Sequence, residues 1–208
     1  MLTGFGPMDI FFNLLISMGV LWFSISIHEA AHAWTALQLG DPTAKYEGRV
    51  SLNPLDHIDP IGTVLLPLIM YITHLPMFGW AKPTPFNPWN LKNPKRDAAL
   101  ISFAGPVSNL LIAIVFSIIF RLLHPGGNIL GLVLFNIVYL NVVLAIFNLI
   151  PIHPLDGFKV VGGFLPKNTY LRWLEFERFG PYFLILVFFF GGSLIQSIVN
   201  PVMQLLLG

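Results

Sequence analysis

The chain has 208 residues and is strongly apolar: 55% of its residues are hydrophobic, only 10% are charged, and the mean hydropathy is +0.75. This composition excludes an ordinary soluble domain and predicts an all-α polytopic membrane protein with roughly four to six crossings. The net charge of +1, without a basic patch, argues against a nucleic-acid partner. Because the chain has no cysteine, thiol nucleophiles and cysteine metal ligands are excluded, and a bound zinc would need His and carboxylate ligands.

The first predicted helix, residues 8–39, carries a His-Glu-x-x-His motif after a stretch without charged residues that is long enough to cross a membrane. His28 and His32 are four residues apart and share one helix face, where two imidazoles can bind one metal ion. Glu29 lies beside them as a candidate general base. Ionisable side chains inside a membrane are costly, so the cluster predicts a functional site rather than buried polar residues of a helix bundle.

A polar connector follows this helix. Residues 45–52 alternate in polarity, which predicts a short strand or hairpin. His57 is a candidate metal ligand, but its position in a loop beside prolines favours a role in a turn. Residues 59–76 are apolar, short and interrupted by Gly62 and Pro67, which favours a re-entrant segment over a full crossing.

The next stretch, residues 78–88, contains three prolines and is predicted to be an extended loop. Extended backbone beside a metal can pair with an unwound substrate, and a plain proline-rich connector is an equally supported alternative. Residues 92–97 are predicted to be a basic surface loop, followed by a second helix at residues 98–123. Within that helix, the small residues of the Ala-Gly-Pro-Val-Ser-Asn stretch at 104–109 are interpreted as a packing feature.

The third predicted helix, residues 129–150, ends in a second candidate constellation. Two prolines end or distort the helix, and Gly157 relaxes the backbone beside Asp156, so this carboxylate can point towards a metal. Asp156 is the preferred third ligand, although it is also suited to cap the following segment. Asn148 is a candidate donor to substrate or to an oxyanion, or else a bridge between helices. His153 has equal support as a ligand and as a loop residue.

The last predicted helix, residues 179–207, is long enough to span a membrane, with potential bends at its Gly-Gly and Asn-Pro steps. The ligands of one zinc ion all lie at ~2 Å from it, so Asp156 must reach the membrane face where the first helix ends. Residues 59–76 must then return to the face they left, giving four crossings with an external N-terminus. Ten of the eleven Lys and Arg residues then share one side, which predicts a cytoplasmic location for the site.

Taken together, the motifs resemble those of the site-2 protease family of intramembrane zinc metalloproteases. The resemblance covers roughly residues 20–165 and rests on three stretches: His28-Glu29-x-x-His32, the Ala-Gly-Pro at 104–106, and Asn148-x-x-Pro151-x-x-Pro154-Leu155-Asp156-Gly157. It implies a three-helix catalytic core with one Zn²⁺ held by His28, His32 and Asp156. It also implies that Glu29 is the base and that Asn148 contacts substrate or an oxyanion. The loops are similar to those of a compact prokaryotic subgroup, and no PDZ-like domain is recognised.

The resemblance implies an intramembrane endopeptidase that occupies the whole chain, 1–208, as one domain in the lipid bilayer of a cell (inner) membrane. Its expected substrates are membrane proteins, cleaved in or near their transmembrane segments during regulated intramembrane proteolysis. A non-proteolytic zinc-binding membrane protein or a transporter is the alternative. The retained base, Glu29, argues against it, and a transporter would need polar residues in more helices. The sequence leaves the oligomeric state and the identity of the substrate open.

Overall fold

The computed structural model of the protein describes residues 7–72 and 81–208, and every regular element within these ranges is helical. The α-helices are α1 (Pro7–Gln38), α2 (Thr43–Tyr46), α3 (Leu66–Ile72), α4 (Pro94–Leu123), α5 (Ile129–Asn148), α6 (Asp156–Phe164), α7 (Lys167–Leu174), α8 (Gly180–Phe190) and α9 (Gly192–Leu207). A π-helical turn, Pro60–Leu65, leads into α3, and single 3-10 turns lie at Pro54–Asp56, Pro88–Asn90 and Glu175–Phe179. The predicted all-α architecture is confirmed.

Three of the described helices are long and apolar enough to cross a membrane: α1, α4 and α5. A fourth crossing is possible if the bent pair Lys167–Phe190 and Gly192–Leu207, whose axes differ by 68°, counts as one span. The bend falls at Gly191, where the sequence predicted one. By length and composition, the protein is therefore a membrane protein with three or four spans.

The helix ends follow from local capping. Gly40, with φ of +105°, ends α1 in a left-handed conformation that glycine adopts without strain. At the start of α4, Pro94 occupies the first turn, and Asp97 Oδ2 accepts a hydrogen bond from the Asn93 N–H. Asn128 caps α5 by accepting from the Gly131 N–H through its side chain.

The spanning helices pack through small and β-branched side chains. Ala113 of α4, Val138 and Val142 of α5, and Val199 of α9 form one fully buried cluster. Small residues let helices approach closely in a membrane, where dispersion contacts drive association. The Arg121 guanidinium joins α4 to α9 by donating to the carbonyl groups of Leu205 and Leu206.

Two sequence predictions about these elements are wrong, and the structure refines a third. Residues 45–52 form no strand, because Tyr46 N–H bonds Pro42 O and the chain makes the single turn of α2 instead. The second spanning helix starts at Pro94 rather than at residue 98, so the end of the predicted loop 92–97 is its first turn. The last predicted helix, 179–207, is two helices, α8 and α9.

The segment predicted to be re-entrant is partly described. Asp59 caps it by accepting from the Ile61 and Gly62 N–H groups, and Pro60–Ile72 is helical. Residues 73–80, which include the end of the predicted re-entrant segment and the start of the predicted extended loop, lie outside the described residues. The residues that flank this segment lie next to each other, because the Lys82 N–H donates to His57 O at 3.0 Å.

Candidate metal centre and active site

The two histidines of the motif face each other on one side of α1. Their Nε2 atoms are 3.0 Å apart, and the ring planes are nearly perpendicular. Both side chains are buried, with 6% and 7% of their surface exposed for His28 and His32. The four-residue spacing thus brings two nitrogen donors to one point, as the sequence predicted.

Asp156 reaches the same point from the start of α6. Its Oδ2 atom lies 3.1 Å from His28 Nε2 and 3.3 Å from His32 Nε2. Gly157 makes this approach possible, because a Cβ atom there would lie 2.2 Å from Leu149 O at the end of α5.

The other nitrogen of each imidazole has a buried partner on α4. His28 Nδ1 lies 2.6 Å from Asn109 Oδ1, and His32 Nδ1 lies 2.6 Å from Ile101 O. A carbonyl oxygen only accepts, so His32 carries a proton on Nδ1, and the neutral imidazole has its Nε2 lone pair available for a ligand bond. Orienting partners of this kind accompany metal-binding histidines.

These donors fit a tetrahedral zinc ion. Bonds of about 2.0–2.1 Å at tetrahedral angles require donor separations of about 3.3 Å, and the observed separations run from 3.0 to 3.3 Å. Gly105 of α4 closes one side of the site, since a Cβ there would lie 2.4 Å from His32 Nε2 and 2.6 Å from His28 Cε1. The helix contact predicted at 104–109 therefore has a specific purpose: it lets α4 approach the imidazoles.

Glu29 lies beside the donors and is held by a segment outside the helices. Its Oε2 accepts from the Thr84 N–H at 2.9 Å, and the Thr84 hydroxyl donates to Glu29 O at 3.2 Å. Thr84 belongs to residues 81–87, which have no regular secondary structure, and we call this stretch the 81–87 segment. The donor atoms of His28, His32 and Glu29 all lie within 4.8 Å of one another.

A cleft of about 400 Å³ opens next to these side chains. Its lining includes His28, Glu29, Pro83, Asn148 and Leu184. The Asn148 side chain donates from Nδ2 to Leu144 O of its own helix at 3.0 Å, which leaves a second amide hydrogen for another acceptor. The structure thus places Asn148 at the cleft rather than across a helix interface.

The two alternative histidines lie elsewhere. His57 is buried in the loop after α2, where its Nε2 donates to Ser51 O at 2.8 Å. The His153 ring packs edge-on against Phe158, 5.7 Å between centroids, and lines a separate apolar cavity. Among the described residues, neither of them belongs to the group of His28, Glu29 and His32, whose ligand atoms lie within 4.8 Å of one another.

Sequence reasoning missed three contributors: Gly105, Asn109 and Thr84. The Ala-Gly-Pro-x-x-Asn stretch was interpreted as packing alone, although its Gly and Asn lie four residues apart and so face the same way. That spacing was the signal available for Asn109. No sequence signal connects Thr84 with Glu29, 55 residues away.

The spanning helices and this cluster of side chains define the class of the protein: it is a membrane protein with a metal-binding site. Comparison with known proteins gives the family. The chain is 37% identical over 206 residues, 95% of its length and 89% of the relative's, to the Bacillus subtilis protein named "Putative zinc metalloprotease YwhC". The chain belongs to this family of zinc metalloproteases, and zinc is its metal.

Further relatives carry the same description. The chain is 28% identical over 175 residues to "Putative zinc metalloprotease Rip2" of Mycolicibacterium smegmatis, covering 84% of the chain and 65% of that relative. It is 39% identical over 61 residues to "Putative zinc metalloprotease MJ0611" of Methanocaldococcus jannaschii, or 29% of the chain and 31% of the relative. No protein-family model and no solved structure matches the chain.

Proposed function

We propose that this metalloprotease is an intramembrane protease of the site-2 type, which hydrolyses peptide bonds in or near the transmembrane segments of membrane proteins. The observation that carries the proposal is the place of the donor atoms. They meet on α1, a helix long enough to cross a membrane, between the apolar helix α4 and the start of α6. A site built into spanning helices is suited to substrates that are themselves in the bilayer.

We assign the metal to His28, His32 and Asp156. When bound, zinc lowers the pKa of its water towards about 7 and polarises the scissile carbonyl. The two imidazoles, with their protons on Nδ1, and the carboxylate Oδ2 supply the three protein ligands. With three protein ligands, zinc would keep one coordination position open for water and substrate.

Glu29 then acts as the general base and acid. The Thr84 N–H holds its Oε2, so we assign proton transfer to Oε1. Glu29 takes the proton of the attacking water and delivers it to the nitrogen of the leaving amine. The second Asn148 amide hydrogen is directed at the carbonyl oxygen, whose negative charge grows during attack.

The substrate must expose its backbone to react. In a helix the carbonyl groups are hydrogen-bonded and shielded, so a transmembrane substrate has to unwind locally before cleavage. The 81–87 segment lies at the cleft without regular structure, and its prolines favour an extended backbone. It is suited to bind an unwound stretch by its side.

Cleavage by wild type and by Glu29→Gln, each reconstituted in vesicles with a panel of single-span substrates, tests the function. Wild type should cleave at least one substrate within or beside its span, and Glu29→Gln should be about 10²- to 10⁴-fold slower with unchanged zinc content. Equal cleavage by the two proteins would exclude Glu29 as the base. Cleavage confined to sites far from the span would contradict the intramembrane assignment.

We further propose that the site lies near the cytoplasmic face, with four crossings. The Lys82–His57 backbone hydrogen bond supports a segment that returns to the side it left. The chain has no cysteine, so single cysteines at Lys45, Lys92, Asn128 and Lys167 can be probed on intact cells with an impermeant thiol reagent. Only the cysteine at Asn128 should react from outside. Labelling at Lys92 would mean that residues 59–76 cross the membrane.

A further inference from the structure

A chain of buried amide side chains runs from His28 across all three core helices. His28 Nδ1 lies 2.6 Å from Asn109 Oδ1 of α4, and Asn109 Nδ2 donates to Asn141 Oδ1 of α5 at 2.7 Å. Asn141 Nδ2 in turn donates to Ile137 O at 2.8 Å. Both asparagine side chains are fully buried, and so is Ser24 of α1, which lies between them.

The acceptor groups around Asn141 determine which way each amide group in this hydrogen-bonded series points. The carbonyl group of Ile137 only accepts, so Asn141 must point its Nδ2 there and its Oδ1 towards Asn109. Asn141 Nδ2 also donates to the Ser24 hydroxyl, and Asn109 Nδ2 donates to Ser24 O. Rotating either amide by 180° would place oxygen against oxygen in a buried site, at a cost of several broken hydrogen bonds.

The orientation of these amide groups also determines which nitrogen of the His28 ring carries the proton. With Asn109 Nδ2 committed to two acceptors, Asn109 Oδ1 faces His28, and only a proton on Nδ1 completes that contact. In the neutral imidazole the lone pair is then on Nε2, which faces Asp156 Oδ2 and His32 Nε2.

We propose that Asn109 and Asn141 are positioning residues for zinc, which fix His28 with its proton on Nδ1 and leave Nε2 free to bind the metal. This inference rests on the proposed role of His28 as a ligand. Asn141 acts on His28 through Asn109. The two histidines differ here: His32 is oriented by a backbone carbonyl group, whereas the orientation of His28 depends on side chains that substitution can remove.

Zinc affinity, measured by chelator competition on the purified full-length protein, tests the proposal without a substrate. Asn109→Leu should weaken binding about 10- to 100-fold, the usual effect of losing an orienting partner of a metal ligand. Asn141→Leu should weaken it about 10-fold. The double variant should be no weaker than Asn109→Leu, because residues acting in series are not additive.

The matched control is Asn136→Leu. Asn136 also lies on α5 and also bonds α1, accepting from the Ser17 hydroxyl at 3.0 Å while donating to Leu132 O. Neither hydrogen bond involves Asn109, Asn141 or Ser24, so its loss should leave zinc affinity within about twofold of wild type. An equal loss of affinity in Asn136→Leu and Asn141→Leu would overturn the proposal, since general helix packing would explain both.

Asn141→Asp should retain most of the zinc affinity that Asn141→Leu loses. A carboxyl group held protonated by burial keeps an acceptor towards Asn109 and a donor towards Ile137 O, so affinity should stay within about threefold of wild type. Loss equal to that of Asn141→Leu would count against the proposal. The visible spectrum of the cobalt-substituted protein gives a second readout, and it should change in Asn141→Leu and not in Asn136→Leu.

His28→Ala separates this inference from the ligand assignment on which it rests. Unchanged zinc affinity in His28→Ala would remove His28 from the ligand set. Severe loss in His28→Ala with no loss in Asn109→Leu and Asn141→Leu would refute only the role of the asparagines.

Discussion

The two sides of the site are held in different ways. On the ligand side, formed by His28, His32 and Asp156, each imidazole is bonded to a buried group of another helix, and the donors lie within 3.3 Å of each other. On the cleft side, formed by Glu29, Asn148 and the 81–87 segment, Glu29 is held by a segment outside the helices. Asn148 donates to Leu144 O of its own helix.

The difference corresponds to two chemical requirements. A metal needs donors fixed to within a few tenths of an ångström, which packed helices and satisfied buried hydrogen bonds provide. A substrate that must unwind needs polar groups that can still change partners. Changes on the ligand side should therefore remove zinc, whereas changes on the cleft side should lower activity and leave zinc bound.

Asp156→Ala should have the largest effect. It removes one of three proposed protein ligands, so zinc should fall from about one per chain to background and peptidase activity should be lost with it. Metal analysis of the purified protein measures this, and Glu29→Gln, expected to keep its zinc, is the control from the cleft side. Full zinc occupancy in Asp156→Ala would move the third ligand elsewhere, with His153 and His57 the next candidates.

Gly105→Ala should have the second-largest effect. Its Cβ would lie 2.4–2.6 Å from three imidazole atoms, and the rings cannot turn away without breaking their Nδ1 hydrogen bonds. Overpacking of this kind costs about 1–3 kcal/mol, so zinc affinity should fall about 10- to 100-fold. Gly19→Ala on the same helix as the histidines is the control, because a Cβ there meets nothing within 4 Å. Normal zinc affinity in Gly105→Ala would show that the helices can separate without cost.

Local patterns in the sequence predicted much of this arrangement. Apolar runs ending at Gly, Asn and Pro gave the spanning helices to within a few residues. The spacing of His28 and His32 predicted their common face. These predictions succeeded because each depends on helix geometry or on the length needed to cross a membrane.

The failures involve contacts between residues far apart in the chain, or competing local signals. Residues 45–52 alternate like a strand, but such a short pattern is a weak signal beside the hydrogen bonds that close α2. Pro94 was a sign of a helix start that the charged residues around it obscured. The partnership of Asn109 with His28, 81 residues apart, depends on how α4 packs on α1, which no local pattern specifies.

Thr84→Pro should have a smaller effect, confined to the cleft side. It removes the N–H that holds Glu29 Oε2, and the extended backbone expected before Pro85 tolerates proline. A hydrogen bond to a charged group is worth about 1.5–3 kcal/mol, so activity should fall about 10- to 100-fold at unchanged zinc content. Thr84→Ala keeps the N–H and loses only the hydroxyl, and its activity should fall less, about two- to threefold. Equal losses in the two variants would assign the effect to the hydroxyl.

Asp41→Asn should have the smallest effect, on the anchoring of the 81–87 segment. Asp41 follows α1 and accepts from the Asn87 N–H at 2.6 Å and from the Asn90 amide at 2.7 Å. Burial raises the pKa of Asp41, but hydrogen bonds from the Thr43 side chain, Asn90 and the Asn87 N–H outweigh burial and hold the pKa below its ordinary value of 3.8.

The sign of the pH dependence follows from that lowered pKa. A carboxyl group with a lower pKa in the folded state stabilises the protein fully above its unfolded pKa, and this stabilisation is lost as the pH falls through the folded pKa. Asp41→Asn should therefore unfold about 2–4 °C below wild type at pH 7, with the gap closing below about pH 3.8. Thermal unfolding in detergent from pH 7 to pH 3 measures the gap, and since both proteins release zinc in acid, the difference between them isolates Asp41. The control is Asp56→Asn at an exposed position, which should follow wild type throughout. A gap that stays constant down to pH 3 would mean that the shape of the side chain, rather than its charge, anchors the 81–87 segment.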